Sequence, residues 1–194
     1  MKSTLILLTL LGSTILLFGS QDQPEQNKAE APKATPAKAE PIKNPVTTAV
    51  KDIFSRQQKN LIAAVEAMPA DKFGFKPTPD QIPFGHLVLH ITTTNIELCS
   101  KAGTMPLPPI RQAPETDKER LLAALTKSFL YCEAALNRVD DSKLGDGVEL
   151  SGGRQASVAY ALIALTNDWA DHYSAASTYL RLNGLLPPTA QPKK

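Results

Sequence analysis

Two cysteines, three histidines and one tryptophan are all that this 194-residue chain has of those types, and its shortages narrow what it can be. No Cys-x-x-Cys pair exists, so a dithiol redox centre is excluded. The formal charge is only +2 and no run of five or more basic residues occurs. The phosphate-neutralising footprint of a nucleic-acid binder is therefore missing. There is no Gly-rich phosphate loop, no nucleophile with a neighbouring base and no convincing pair of carboxylates. Period-two alternation is lacking as well, with Val148 to Leu150 the one short stretch of strand character; a sheet protein is not expected. The long apolar run, Leu5 to Phe18, falls short of the roughly 20 residues that a membrane span requires.

That run follows a single positive residue, Lys2, and precedes the small residues Gly19 and Ser20. This is the pattern of a secretory signal over 1–20. Leu17 or Phe18 would stand three residues before the cut, where a small residue is preferred, so retention as an anchor competes with cleavage. No cysteine lies near the cut, which argues against a lipoprotein. The chain is expected to be exported, to a periplasm or the extracellular space. Residues 21–45 are Gln, Pro, Ala, Lys and Glu with few large apolar side chains; Asp22, Glu25, Glu30 and Glu40 balance Lys28, Lys33, Lys38 and Lys43. Such a segment cannot bury enough apolar surface to offset its chain entropy and reads as a disordered spacer.

The remaining part, about 145 residues, is one ordinary domain with a single core. Val50, Ile53, Phe54, Leu61, Val65 and Met68 recur at helical spacing until Pro69. After a turn-rich stretch, Pro83 suits the first turn of a second helix carrying Phe84, Leu87, Val88, Ile91, Leu98 and Cys99, which ends near Gly103. Thr116 to Glu119 reads as a capping box for a third helix with Leu121, Leu122, Leu125, Phe129, Cys132 and Leu136. A long fourth helix presents Val158, Leu162, Leu165, Trp169, His172, Ala176 and Leu180, and stops at Asn183-Gly184. The spacing thus predicts an all-α fold, four antiparallel-type helices around one core, over residues 46–189 with a tail at 190–194.

Cys99 and Cys132 fall late in helices two and three. In an exported chain, two and only two cysteines favour a disulfide; two small buried thiols are the other reading. The histidines form His86-x3-His90, while Asp168-x3-His172 repeats the spacing on helix four. Residues four apart share a helix face, and facing helices of a bundle build metal sites in this way. His172 lies on the core stripe beside Trp169, His90 borders the core face of helix two, and Asp168 is on the flank. A divalent metal would satisfy His90, Asp168 and His172 together, at a place where unpaired polar groups are costly. Spacing alone leaves open two core histidines bonded to backbone, with Asp168 at the surface.

Phe75-Lys76-Pro77-Thr78-Pro79, Phe84-Gly85-His86-Leu87-Val88-Leu89-His90-Ile91, Asp171-His172-Tyr173 and above all Tyr179-Leu180-Arg181-Leu182-Asn183-Gly184-Leu185-Leu186-Pro187-Pro188 resemble the DinB-like (DinB/YfiT-like) superfamily from about residue 46 to 189. The resemblance implies a four-helix bundle with a long crossover that holds zinc or nickel through one histidine of helix two and a His-x3-His pair of helix four. His90 would then be the first ligand and His172 the last. Asp168 stands where the family usually has histidine, although aspartate is a competent oxygen ligand. His86, at the start of helix two, reads first as an exposed or structural residue, with a fourth or substrate-side role as the alternative. Characterised relatives include thiol-dependent S-transferases and isomerases, and dimers are common among them.

Two functions are expected on this basis. One is a metal-dependent hydrolase or transferase acting on a small molecule of unknown identity. The other is a non-catalytic exported binding module with a structural or vestigial metal site. A site open to solvent favours the enzyme, and one sealed by Trp169 and Tyr173 favours the module. Asp171, about 100° round the helix from His172, reads as a surface charge.

Overall fold

A computed structural model of the chain describes residues 40–109 and 113–192. The expected signal segment and nearly all of the expected spacer lie outside the described residues. Four helices form the architecture: α1 (Pro45–Ala67), α2 (Phe84–Ala102), α3 (Lys118–Leu136) and α4 (Val158–Leu182). No helix among the described residues is long and apolar enough to cross a membrane. The apolar residues at helical spacing face inward as their periodicity requires: Phe54, Leu61, Leu87, Ile91, Leu125, Phe129, Leu162, Leu165 and Trp169 are all buried. Trp169 lies between Phe54 and Phe129, with ring centroids 5.5 and 6.4 Å away.

Contacts at the helix ends give the topology. Gly85 at the start of α2 meets Glu115 just before α3, and Gly103 at the end of α2 meets Ala135 at the end of α3. Helices α2 and α3 therefore run parallel, and the crossover between them returns along the length of the bundle. The Lys118 ammonium donates to the carbonyls of Glu66 and Met68 at 2.7 Å, placing the end of α1 beside the start of α3. Here the expectation from spacing is corrected. The helices are not all antiparallel to their neighbours, because a connection of this length can carry the chain back to start a parallel helix.

Three local readings also change. α1 begins at Pro45, the last residue of the expected spacer. The cap of α3 is Asp117, whose carboxylate accepts from the Arg120 amide at 3.0 Å, so the helix starts one residue later than a Thr116–Glu119 box implies. Asp is at least as good a cap as Thr, so register decides. Finally, the strand character at Val148 to Leu150 is realised one residue earlier and gains a partner: Gly147–Glu149 pairs antiparallel with Gln155–Ser157, around a turn in which Gly152 and Gly153 have φ of 76° and 77°. Val148 packs against the core between exposed Gly147 and Glu149, but strands of three residues are too short to show a longer alternation.

The first turn of α1 is capped from a distance. The Asp141 carboxylate accepts from the amides of Val46 (3.0 Å) and Thr47 (2.8 Å). Burial raises this carboxyl, but the bonds from Thr47 and Val46 outweigh it and hold the group below the ordinary 3.8. A depressed carboxylate contributes stability that is fully present above its ordinary value and is lost as pH falls through the folded value. Asp141→Asn is thus expected to melt at lower temperature than wild type at neutral pH. The gap should close below pH about 4, which thermal melts along an acid titration will check.

Candidate metal site

The antiparallel pair α2 and α4 brings His90, Asp168 and His172 together, with one ligand-type atom from each lying within 4.8 Å of the others. Asp168 Oδ1 is 3.4 Å from His172 Nδ1 and 3.9 Å from His90 Nε2. The two imidazole rings lie 4.7 Å apart, tilted by 30°. His172 Nδ1 sits 2.7 Å from the backbone carbonyl of Asp168. A carbonyl can only accept, so Nδ1 carries the hydrogen, which in the neutral ring leaves the lone pair on Nε2. Metal-binding histidines are oriented by such a bond from the second nitrogen. Thr94 Oγ1 approaches His90 Nε2 at 3.4 Å.

Asp168 carries the electrostatic tension of the site. Its side chain is only 15% exposed, and Oδ2 is buried with no hydrogen-bond partner among the described residues. Burial pushes its carboxyl above the ordinary 3.8 against the pull of His172 and His90, and Asp171 adds to the rise. Oδ1 faces both histidines, but an unpaired carboxylate oxygen at this depth is costly. Two nitrogens and a carboxylate oxygen are the ligand types that a borderline divalent ion accepts.

The site is open on the α2 side. His90 is 47% exposed, which corrects the expectation of a buried ring: Leu87, Val88 and Ile91 take the inward face of α2, and position 90 turns toward α4 and solvent. The two aromatic residues that could have sealed it are engaged elsewhere. The Trp169 indole N–H donates to Asn95 Oδ1 at 2.6 Å in the core, and the Tyr173 hydroxyl donates to Thr189 Oγ1 at 2.9 Å. His86 does not join the triad. Its Nδ1 pairs with Glu115 Oε1 at 2.7 Å.

The model of the DinB superfamily matches residues 53–176, which include all three triad residues. The chain belongs to the DinB superfamily. A DinB-like protein from Bacillus cereus ATCC 10987 has a similar crystal structure, with a TM-score of 0.60 at 16% identity over 73% of this chain and 95% of that one. At that identity the likeness is one of fold. No curated protein matches the sequence.

Two residues of this DinB bundle escaped the sequence reading. Glu115 lies in the Pro-rich crossover, where no periodicity points to a partner. Asn95 was legible as a polar interruption of the α2 stripe, one turn after Ile91. It is fully buried and ties the helices together, accepting from Trp169 and donating to Ser128 Oγ at 3.0 Å. Asn95→Ala would orphan the Trp169 N–H beside Asp168 and open a small void. The expected loss is about 2–4 kcal/mol, measurable by urea denaturation followed through the fluorescence of the single tryptophan.

Proposed function

We propose that this DinB-superfamily protein is an exported metal-dependent enzyme, a hydrolase or transferase acting on a small molecule at His90, Asp168 and His172. One observation carries the reading: a buried carboxylate oxygen without a partner, flanked by two imidazoles, at a place open to solvent. His172 would bind through Nε2, because its Nδ1 is committed to the Asp168 carbonyl. His90 and Asp168 would complete the set, with Asp168 supplying the negative charge. When bound, a divalent ion with three protein ligands supplies Lewis acidity at an open position, which activates a water or a thiol as nucleophile. Zinc and nickel are the ions that suit this donor set and the superfamily resemblance. The exposed His90 edge is where a substrate would enter. The low net charge favours a small molecule over nucleic acid, and the N-terminal pattern supports export.

Elemental mass spectrometry tests the proposal, on protein purified without chelators or a His-tag. Near-stoichiometric zinc or nickel is expected. A protein that holds neither, even after incubation with both ions, would leave a binding module in place of an enzyme.

A further inference from the structure

Four residues before His90 on α2, and therefore on the same side of that helix at roughly 5–6 Å between Cβ atoms, stands the pair His86–Glu115. Its two side chains are 45% and 40% exposed, with Nδ1 and Oε1 2.7 Å apart. The pair is built into the backbone. A Cβ at Gly85 would land on the Glu115 backbone carbonyl, so only glycine lets the crossover press against α2 here. The Gly85 amide is itself fixed on the Phe73 carbonyl at 2.8 Å. With Glu115 pinned beside the first turn of α2, its carboxylate reaches the next side chain along, His86. An ionised carboxylate cannot donate, so the hydrogen of the contact belongs to Nδ1. In the neutral imidazole this leaves Nε2 as an unprotonated acceptor. Among the described residues, the salt bridges and hydrogen bonds around His90, Asp168, His172 and His86 include no Lys or Arg side chain. The carboxylates in these contacts are Glu115 and Asp168, and Asp171 adds to the rise of the Asp168 carboxyl.

We propose that His86, oriented by Glu115, is the proton acceptor of the α2–α4 site. In that role the O–H or S–H bond of a group held at the triad breaks, its electron pair stays on the oxygen or sulfur, and the proton moves to His86 Nε2. The resulting imidazolium is offset by the Glu115 carboxylate, and the same proton can be returned to a leaving group. His86 is then the catalytic residue and Glu115 a positioning residue. The assignment rests on the metal site proposed above.

The test needs no substrate. Acetohydroxamic acid is a small metal-binding probe that must give up its proton on binding, so a neighbouring acceptor tightens it. On the full chain, zinc affinity is measured first by calorimetry, then acetohydroxamate affinity on the zinc-loaded protein. Two variants are compared with wild type. His86→Asn keeps an N–H facing Glu115 but has nothing in place of Nε2, and Glu115→Ala removes the anchor. Zinc affinity is expected to stay within about two-fold of wild type in both, since His86 and Glu115 are not ligands, while acetohydroxamate binding weakens about ten-fold in His86→Asn and about three-fold in Glu115→Ala. Long-range nitrogen–proton NMR should find His86 as the Nδ1–H tautomer in wild type and lose that preference in Glu115→Ala. Zinc binding with equal acetohydroxamate affinity in wild type and His86→Asn, or an Nε2–H tautomer in wild type, would overturn the assignment and leave the metal site standing. A wild-type protein that binds no zinc would bring down both.

Discussion

Replacing Asp168 by asparagine is expected to stabilise the metal-free protein and to abolish its response to zinc. The two halves of that result have one cause. Burial raises the Asp168 carboxyl above the ordinary 3.8, so between that value and the folded one the native state holds more protons than the unfolded chain. Stability therefore falls as pH rises through this window and stays reduced above it. Asparagine is neutral at every pH and removes that cost, so melts in EDTA at neutral pH should place Asp168→Asn above wild type, with the difference vanishing in acid. The charge that costs stability is the one that a divalent cation needs. Zinc at a hundred-fold excess over its dissociation constant stabilises the wild type by about 2.7 kcal/mol, or roughly 5–10 °C for a domain of this size. Asp168→Asn and His172→Ala should show no such rise, their zinc affinity falling by more than the 10–100-fold that loss of a supporting group typically costs. Were Asp168→Asn to melt below wild type in EDTA, the two histidines would outweigh burial and the site would be a self-satisfied polar cluster.

The same balance explains how much of this protein could be read from its sequence. Helix content was legible because the apolar residues of each helix keep a period of about 3.6 and end at Pro or Gly: Met68 before Pro69, Leu182 before Asn183-Gly184. His90, Asp168 and His172 stood out because i,i+4 spacing is enforced by the helix itself. What spacing does not encode is which helices are neighbours and in what direction they run. The parallel packing of α2 on α3 depends on the Gly85–Glu115 and Gly103–Ala135 approaches, each between residues far apart in sequence. The exposure of His90 depends on a rotation of α2 that three apolar neighbours decide. Glu115 is the clearest loss: its partner is 29 residues away, across a crossover with no repeating pattern. Asn95 carries a signal of its own, since a polar residue on an apolar stripe must find partners.

Breaking the Cys99–Cys132 bond is expected to lower stability by about 3–4 kcal/mol on the chain-entropy account, while the metal site keeps its affinity. The structure pairs these cysteines, with Cα atoms 5.1 Å apart and a sequence separation of 33, and both are fully buried. A Cys99→Ala/Cys132→Ala protein, or wild type reduced before refolding, should melt roughly 10 °C lower. The zinc response should survive because of where the bond lies on α2. His90 and Cys99 are nine positions apart, and at about 100° per residue they project from opposite sides of the helix: Cys99 toward α3, His90 toward α4. One face of α2 is thus tethered covalently while the other offers a ligand. Perturbations at separated sites without shared partners add. The stabilisation by zinc should then be the same in oxidised and reduced protein within about 0.5 kcal/mol. A response that shrinks further on reduction would show that the tether, acting across the helix, holds His90 against Asp168.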